Sequence, residues 1–230
     1  MLNPEKIMEL LKYGSYGEIQ ELCKKEIIAN STKEKGGNEL EKRRKAFVKY
    51  VEHCVKSNQY REQIAGFFYT NVQGERMQTA TDAYSAICIP ESKSFEGAAH
   101  SSFKDEEINF NVGACFPQDW NSFDTIRINP KEFNAILKII KGEGKSCEFR
   151  GKKAFPVCKL GNGYFNMELA KRIFDILGDC TLYVNPKPLA PSVAYSEIGL
   201  GLILPINATG SEEKYVDYLE KLKEEYEYNR

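Results

Sequence analysis

The sequence contains few of the residues from which most enzyme active sites are built. It has two histidines, His53 and His100, in 230 residues, and its seven cysteines form no Cys-x-x-Cys pair. Neither histidine lies near a second histidine or paired carboxylates at metal-ligand spacing, and glycine-rich phosphate loops and nucleophile elbows are absent. We therefore expect no metal, no cofactor and no catalytic group, and we predict that the protein is not an enzyme. An enzyme whose site follows no known motif stays open as a further class.

The chain also lacks a long apolar run and an excess of one charge. No segment approaches the roughly 20 apolar residues that cross a bilayer, so we expect no membrane partner. The formal net charge is −1, which gives no global attraction for nucleic acid, although it is compatible with a basic stripe on one face. Cysteines that lie mostly in apolar runs, after an amino end without a secretory pattern, predict buried reduced thiols in a cytoplasmic protein.

Residues 66–90 have the pattern of antiparallel strands. Aromatic and β-branched residues run up to Gln73-Gly74, and a second run of strand-forming residues ends at Pro90. Thr81-Asp82 interrupts the second run with side chains that bond to the local backbone and favour a bend. Similar short runs near 146–149, 154–160, 180–184, 191–195 and 200–206 predict further strands. The sequence thus predicts antiparallel sheets.

Three segments share one pattern that is typical of a capped helix. Asn3, Asn129 and Asn166 each follow an apolar residue and suit an N-cap, and proline occupies the next position in two of the three copies. Apolar residues recur at helical spacing after each asparagine, until a glycine ends the segment. This repeat has two interpretations: a common capping pattern, or a repeated module of helix and strands.

The two ends of the chain carry additional helical patterns. A capping box at Ser15 predicts a helix, residues 30–38 have the composition of a linker, and residues 40–57 predict another helix. Ser211 is predicted to cap a last helix. We therefore predict four parts: a helical segment and linker (1–40), two α+β domains (41–126 and 127–210) and a carboxyl-terminal helix (211–230).

The motif Thr-Asp-Ala-Tyr-Ser at 81–85, together with the terminal strand ending Leu204-Pro205-Ile206, resembles the bacterial DNA polymerase sliding clamp (β clamp) family. The resemblance covers roughly residues 45–206. It implies an α+β fold of clamp-like modules, in which helices back antiparallel sheets, with extra helices at both ends. It also implies a non-enzymatic accessory factor of DNA replication or repair that binds DNA or tethers a polymerase. The alternative is a clamp-fold interaction module that does not encircle DNA.

In sliding clamps, helices line a central hole and their cations meet DNA phosphates without reading sequence. By this resemblance, the cations along three helical segments are candidate DNA contacts, whereas solvated helix surfaces are the other interpretation. The candidates are Lys42, Arg43, Arg44, Lys45, Lys49, Lys131, Lys138, Lys141, Lys145, Lys171 and Arg172.

The resemblance also implies partners other than DNA. Clamps bind short peptides of polymerases and other clients in an apolar pocket beside the closing strand, which here corresponds to Leu202, Leu204, Pro205 and Ile206. Completion of the core is the other interpretation of these four residues. A clamp ring in this family has six domains, so two domains per chain would require a homo-oligomer of three copies.

Overall fold

A computed structural model describes residues 16–142, 155–207 and 216–221, with the side chains of 37–142, 155–207 and 217–221. The chain divides into two compact units, Met1–Lys42 and Arg43–Arg230. In the first unit, residues 16–42 are helical. Predictions that concern the opening helix, the strand near 146–149 and Lys145 lie outside the described residues.

The predicted linker at 30–38 is wrong, because helix α1 runs without interruption over Tyr16–Ser57. The segment contains no proline, and its lysines and glutamate are good helix formers. Gly36 and Gly37 each lower helix stability by about 1 kcal/mol relative to alanine, which a long helix tolerates. The basic cluster at 42–49 consequently lies inside α1 rather than at a helix start.

Within its described residues, the second unit contains the end of α1, two more helices and ten strands. They are, in chain order, β1 (Phe68–Val72), β2 (Glu75–Thr81), β3 (Ser85–Pro90), β4 (Asp124–Ile128), α2 (Pro130–Gly142), β5 (Val157–Leu160), β6 (Gly163–Asn166), α3 (Met167–Leu177), β7 (Cys180–Val184), β8 (Ser192–Ser196), β9 (Gly199–Ile203) and β10 (Val216–Asp217). Short 3₁₀ turns are spread over residues 91–122.

Seven strands form one antiparallel sheet in the order β1-β2-β3-β9-β8-β7-β4. Each of two helices, α1 and α3, precedes a three-stranded meander, and the two meanders join where Ala86 of β3 pairs with Leu202 of β9. A smaller sheet has the order β10-β5-β6. The prediction of an α+β fold with antiparallel sheets backed by helices is confirmed. Of the two helices that precede meanders, only α3 carries the asparagine pattern, so both interpretations of that pattern stay open.

Two of the three predicted asparagine caps lie in the described part of the chain, and both are present. The side-chain oxygen of Asn129 accepts a hydrogen bond from the Lys131 N–H (2.9 Å), and that of Asn166 accepts from the Glu168 N–H (2.9 Å). Helix α3 ends at Gly178, whose φ of 73° is a left-handed conformation that favours glycine. These caps satisfy backbone donors that a helix start otherwise leaves unpaired.

The large sheet has an apolar core on each face. Along β3, Ile87 and Ile89 face the three helices, whereas Ala86 and Cys88 face the irregular segment 91–123. Alternation of side chains along a strand explains this division. The sheet is therefore covered on both sides, by helices on one and by 3₁₀ turns and loops on the other.

Two strands were not predicted, and one terminal element differs from its prediction. β4 and β6 are short, and the boundary predicted at 126/127 falls inside β4. The predicted helix 211–230 includes Val216–Asp217, which instead form β10 beside β5. The helical turn begins after Asp217, because its carboxylate accepts from the Leu219 N–H (2.9 Å) and acts as the cap. The two predicted clamp-like domains stay a prediction, and strands from both contribute to the large sheet.

The five cysteines with described side chains are free, and only Cys115 among them is exposed. Burial raises the pKa of Cys88 to about 12, and burial, with a smaller contribution from Asp179, raises that of Cys180 to about 12. Such thiols stay protonated and unreactive near neutral pH. In the described part of the chain, no helix has the length and apolarity to cross a membrane.

Candidate functional site

The helices lie side by side on one face of the large sheet. Lys141, near the end of α2, pairs with Glu168 at the start of α3 (2.8 Å). Asn129, just before α2, donates to Asp179, just after α3 (3.0 Å), so these helices are antiparallel. On the other side of α3, the Arg43 guanidinium of α1 lies against Gly178. The order across the layer is therefore α2-α3-α1.

Each helix buries its apolar stripe against the sheet and presents polar residues on the opposite side. Phe47, Val51 and Cys54 of α1 are fully buried, whereas positions on the far side of the helix are exposed. The same division holds for α2 and α3. The outward cations are Lys45, Lys49, Lys56, Lys131, Lys138, Lys141, Lys171 and Arg172, and the outward carboxylates are Glu52, Glu168 and Asp175. We call this surface the basic helical face.

A groove of about 650 Å³ runs between α2 and α3 on this face. Two of its lysines are paired with carboxylates, Lys141 with Glu168 and Lys171 with Asp175. Lys138 on one wall and Arg172 on the other form no ion pair with any described residue. The groove can therefore bind an anion with two cations that approach from opposite walls.

An amide also lines the groove between these cations. Asn134 of α2 donates from its side-chain nitrogen to Asp175 of α3 (3.2 Å). Its side-chain oxygen is buried and has no partner among the described groups. Asn134 therefore orients Asp175 toward α2, while Lys171 holds the same carboxylate from one turn earlier on α3.

The predicted DNA contacts are thus partly brought together. Lys138, Lys141, Lys171 and Arg172 line one groove, Lys131 lies on the same face of α2, and Lys45 and Lys49 lie on the outward side of α1. The two arginines at 43 and 44 are engaged within the protein instead. Arg43 lies against the end of α3, and Arg44 donates to the Glu96 carbonyl (3.3 Å). Lys42 belongs to the first unit, where it pairs with Glu39 (3.5 Å).

The two motifs that carried the sequence resemblance meet in space. The Leu204 N–H donates to the carbonyl of Tyr84 (2.9 Å), and the Tyr84 side chain is 59% exposed. Two residues further on, the Ile206 N–H donates to the Tyr164 carbonyl of β6 (2.7 Å). Residues 204–206 therefore bridge the two sheets while their side chains are partly exposed.

The four predicted peptide contacts differ in accessibility. Leu202 is only 2% exposed and packs in the core on the outer side of the sheet, so it fits the alternative interpretation that it completes the core. Leu204, Pro205 and Ile206 are partly exposed. Together with Tyr84 they form what we call the junction surface.

Asp82 holds the turn that presents Tyr84. One carboxylate oxygen accepts from the N–H groups of Tyr84 (3.0 Å) and Ser85 (2.7 Å), and the other lies 3.1 Å from His53 Nε2. Burial alone raises the pKa of Asp82, but the hydrogen bonds from His53 and from these backbone groups outweigh it and hold the pKa below its usual value. The predicted role of Asp82 in the turn is confirmed.

Ser57, His53 and Asp82 contain the residue types of a hydrolase triad but not its geometry. Ser57 Oγ lies 3.2 Å from His53 Nε2, the nitrogen that Asp82 also approaches, and 3.5 Å from Nδ1. A triad requires the acid and the nucleophile on different ring nitrogens. Among the described residues, no group of histidine, cysteine and carboxylate side chains is arranged to hold a metal ion.

Two features were not predicted from the sequence: the carboxylates that pair with lysines in the groove, and the exposure of Tyr84 at the junction surface. Glu168 and Asp175 lie seven positions apart on α3, and Asp175 lies four positions after Lys171, which is helical spacing for ion pairs. That signal was present in the sequence. The exposure of Tyr84 follows from the turn at Ala83, whose φ of 69° reverses the chain, and has no comparable sequence signal.

No protein-family model and no curated protein matches the chain. Among solved structures, it resembles a Helicobacter pylori beta clamp bound to a DNA ligase peptide, with 11% identity and a TM-score of 0.45, over 70% of this chain and 62% of that one. It also resembles the DNA polymerase sliding clamp from Bacillus subtilis, with 15% identity and a TM-score of 0.41, over 66% of this chain and 58% of that one. The chain spans less than two thirds of either clamp, and at these identities the likeness concerns the fold alone.

Proposed function

We propose that this protein is a non-enzymatic, sliding-clamp-like factor of DNA replication or repair that binds DNA without reading its sequence. The observation that carries the proposal is the pair of Lys138 and Arg172, which face one groove of the basic helical face and have no carboxylate partner among the described residues. The whole chain has a net charge of −1, so the concentration of cations on this face is local. Four of the five cysteines with described side chains are buried free thiols, which is in keeping with a cytoplasmic location.

Phosphate contact suits this face better than base recognition does. Lysine and arginine side chains on rigid helices bind backbone phosphates at many positions along a duplex, and they carry no sequence information. The outward residues of α2 and α3 are mostly charged side chains and amides, without an aromatic platform for stacked bases. Binding to any duplex with similar affinity is the expected result.

A second partner is proposed at the junction surface. A short peptide of a polymerase or another client protein, with a leucine or phenylalanine anchor, would pack on Leu204, Pro205 and the exposed ring of Tyr84. The hydrogen bond between Leu204 and Tyr84 keeps these groups adjacent, and a rigid apolar surface favours such binding. With both partners, the protein would tether a client to DNA.

The test is binding of a labelled duplex, measured by fluorescence anisotropy with two unrelated sequences over a range of salt concentrations. We expect equal affinity for both sequences and a steep loss of affinity between about 50 and 200 mM salt. The variant Lys138→Glu/Arg172→Glu should lose binding while it keeps its fold. The matched control is Arg127→Glu/Lys187→Glu, which reverses one arginine and one lysine away from the three helices, both exposed.

Two results would contradict the proposal for DNA. One is the absence of duplex binding at low salt by the folded protein, and the other is equal loss of binding in the test and control variants. Molar mass from light scattering, with and without DNA, then separates a ring of several copies from the alternative, an interaction module that does not encircle DNA.

A further inference from the structure

A cavity of about 350 Å³ opens on the face of the large sheet opposite the helices. Its lining includes Pro90 at the end of β3 and Gly199 at the start of β9. The junction surface lies at the other end of the same strand pair, where Ser85 pairs with Ile203. The length of β3 separates the two places by about 17 Å, because a strand rises about 3.4 Å per residue.

Aromatic and apolar side chains form the base of this cavity. The ring of Trp120 packs edge-on against that of Tyr183, with 4.6 Å between centroids, and lies 6.2 Å from that of Tyr195. Trp120 is 6% exposed, whereas Tyr195 is 48% exposed. Met77 and Leu200 are buried beside them. The cavity therefore offers the accessible ring of Tyr195 next to a closely packed apolar base.

The rim of the cavity carries two carboxylates and one ammonium group. Glu75 begins β2, and Glu197 lies in the turn between β8 and β9. The Lys93 ammonium donates to the backbone carbonyl of Glu197 (2.5 Å). Neither glutamate forms an ion pair with a described residue. The rim thus has an excess of negative charge and two carboxylates that can accept hydrogen bonds from a cation.

A further cavity of about 420 Å³ adjoins the first, and Gln73 and Trp120 line both. Its remaining lining residues carry no charge: Gly113, Phe116, Pro117, Gln118 and Asn121. A small cation would occupy the first cavity alone, whereas an extended peptide would occupy both.

We infer that these two cavities bind an arginine-bearing segment of a partner protein. The guanidinium stacks on the ring of Tyr195 and donates to Glu75 and Glu197, while a neutral neighbouring residue fills the second cavity. Arginine suits the site better than lysine does, because its planar group stacks on aromatic rings and presents five N–H donors to carboxylates. Its aliphatic stem packs on the apolar base. The partner differs from DNA, since the charge of this rim repels phosphate.

The test uses a short alanine peptide with one central arginine, acetylated and amidated so that its ends carry no charge. Calorimetry measures its affinity, and so does the emission of Trp120, because Trp120 lines the cavity and is the one tryptophan of the chain. The comparison peptide contains citrulline, which has nearly the shape of arginine without its charge. We expect saturable binding of the arginine peptide and about ten-fold weaker binding of the citrulline peptide.

Two sets of variants locate the binding. Glu75→Gln/Glu197→Gln should weaken it by about ten-fold, because each amide keeps the size of the side chain but loses the charge. The matched control, Glu52→Gln/Glu62→Gln, removes two exposed carboxylates on and just after α1 and should bind normally. Tyr195→Ala should weaken binding by about three- to ten-fold, whereas Tyr195→Phe keeps the aromatic face and should retain it.

Three results would overturn the inference. They are the absence of saturable binding by the folded protein, equal affinity for the arginine and citrulline peptides, and equal affinity in the glutamate test and control variants. The glutamate variants change exposed side chains, so they decide the question even if Tyr195→Ala does not fold. The outcome does not depend on DNA binding, since the basic helical face lies on the other side of the sheet.

Discussion

The N–H of Leu204 donates to the carbonyl oxygen of Tyr84 at 2.9 Å, which places the end of β9 against the turn between β2 and β3. This bond continues the β3–β9 ladder by one step beyond Ser85, which pairs with Ile203. Two motifs that are far apart in the sequence thereby form one surface. The client-peptide proposal depends on this surface, because it joins the exposed ring of Tyr84 to the partly exposed residues 204–206.

The first prediction concerns Leu204. Leu204→Asp should lower the affinity for a labelled peptide with a leucine or phenylalanine anchor by more than about ten-fold, because a charge replaces an apolar contact at the centre of the site. Leu189→Asp is the control, since Leu189 is 60% exposed in the β7–β8 loop. Fluorescence anisotropy measures both. Equal affinity of the two folded variants would mean that the junction surface does not bind the peptide.

The helices and meanders could be predicted from the sequence because their signals are local. Asn129 and Asn166 indicate where two helices begin, and Gly178 indicates where one of them ends. β4 was missed although its pattern alternates: Ile126 and Ile128 are buried, and Arg127 between them is exposed. The apolar residues in the preceding segment of 3₁₀ turns follow no regular spacing. The start of β4 could therefore not be distinguished from that segment in the sequence.

The long-range features had no local signal. The pairing of β3 with β9 joins residues that only the folded sheet brings together. The basic groove depends on the antiparallel packing of α2 against α3, which buries contacts such as that between the rings of Phe133 and Phe174 (4.9 Å between centroids). Cations, and the pair of Lys171 with Asp175 within α3, could therefore be predicted from the sequence, whereas the pairing of Lys141 with Glu168 across two helices could not.

The second prediction concerns the close packing of α3 on β9. A Cβ atom at Gly201 would lie 2.3 Å from Ile173 Cγ2 and 3.3 Å from Leu177 Cδ1. Gly201→Ala should therefore reduce the free energy of unfolding by about 1–3 kcal/mol through overpacking. Urea unfolding measures the change.

Two further variants check the cause of that loss. Gly142→Ala meets no atom within 4 Å and should leave stability nearly unchanged or slightly raised. In the double variant Gly201→Ala/Ile173→Ala, the clashing methyl group is absent, so the combined loss should be smaller than the sum of the single losses. Strict additivity would show that the methyl group is not the obstacle.

The third prediction concerns the acid-dependent stability of the turn. Asp82→Asn should lower the free energy of unfolding at neutral pH by about 1–3 kcal/mol, because it weakens hydrogen bonds to a charged acceptor. The pKa of Asp82 is held below its usual value, so its stabilising contribution is present above about pH 3.9 and is lost as the pH falls through the native pKa.

The stability difference between wild type and Asp82→Asn should consequently narrow on acidification. Urea unfolding at several values from about pH 7 to pH 3 measures it. Asp124→Asn, an exposed carboxylate on β4, is the control and should show little effect at any pH. A difference that stays constant down to low pH would mean that the charge of Asp82 does not stabilise the turn.

The fourth prediction concerns the carboxylates of the basic groove. In Glu168→Gln/Asp175→Asn, the amides keep the size of the side chains, but Lys141 and Lys171 lose their ion pairs and become available to phosphate. Affinity for duplex DNA should rise several-fold at low salt. The slope of log affinity against log salt should steepen by at most about two, since two more cations can release counterions.

The control for the groove is Glu106→Gln/Asp119→Asn, which removes two exposed negative charges from the segment on the opposite side of the sheet. It changes net charge by the same amount, so a general electrostatic effect would raise affinity equally in both variants. A larger gain in the groove variant places the phosphate contacts between α2 and α3. Unchanged or weaker binding in a folded groove variant would mean that Lys141 and Lys171 do not reach DNA, and the contacts would then have to lie on α1 or elsewhere on the basic helical face.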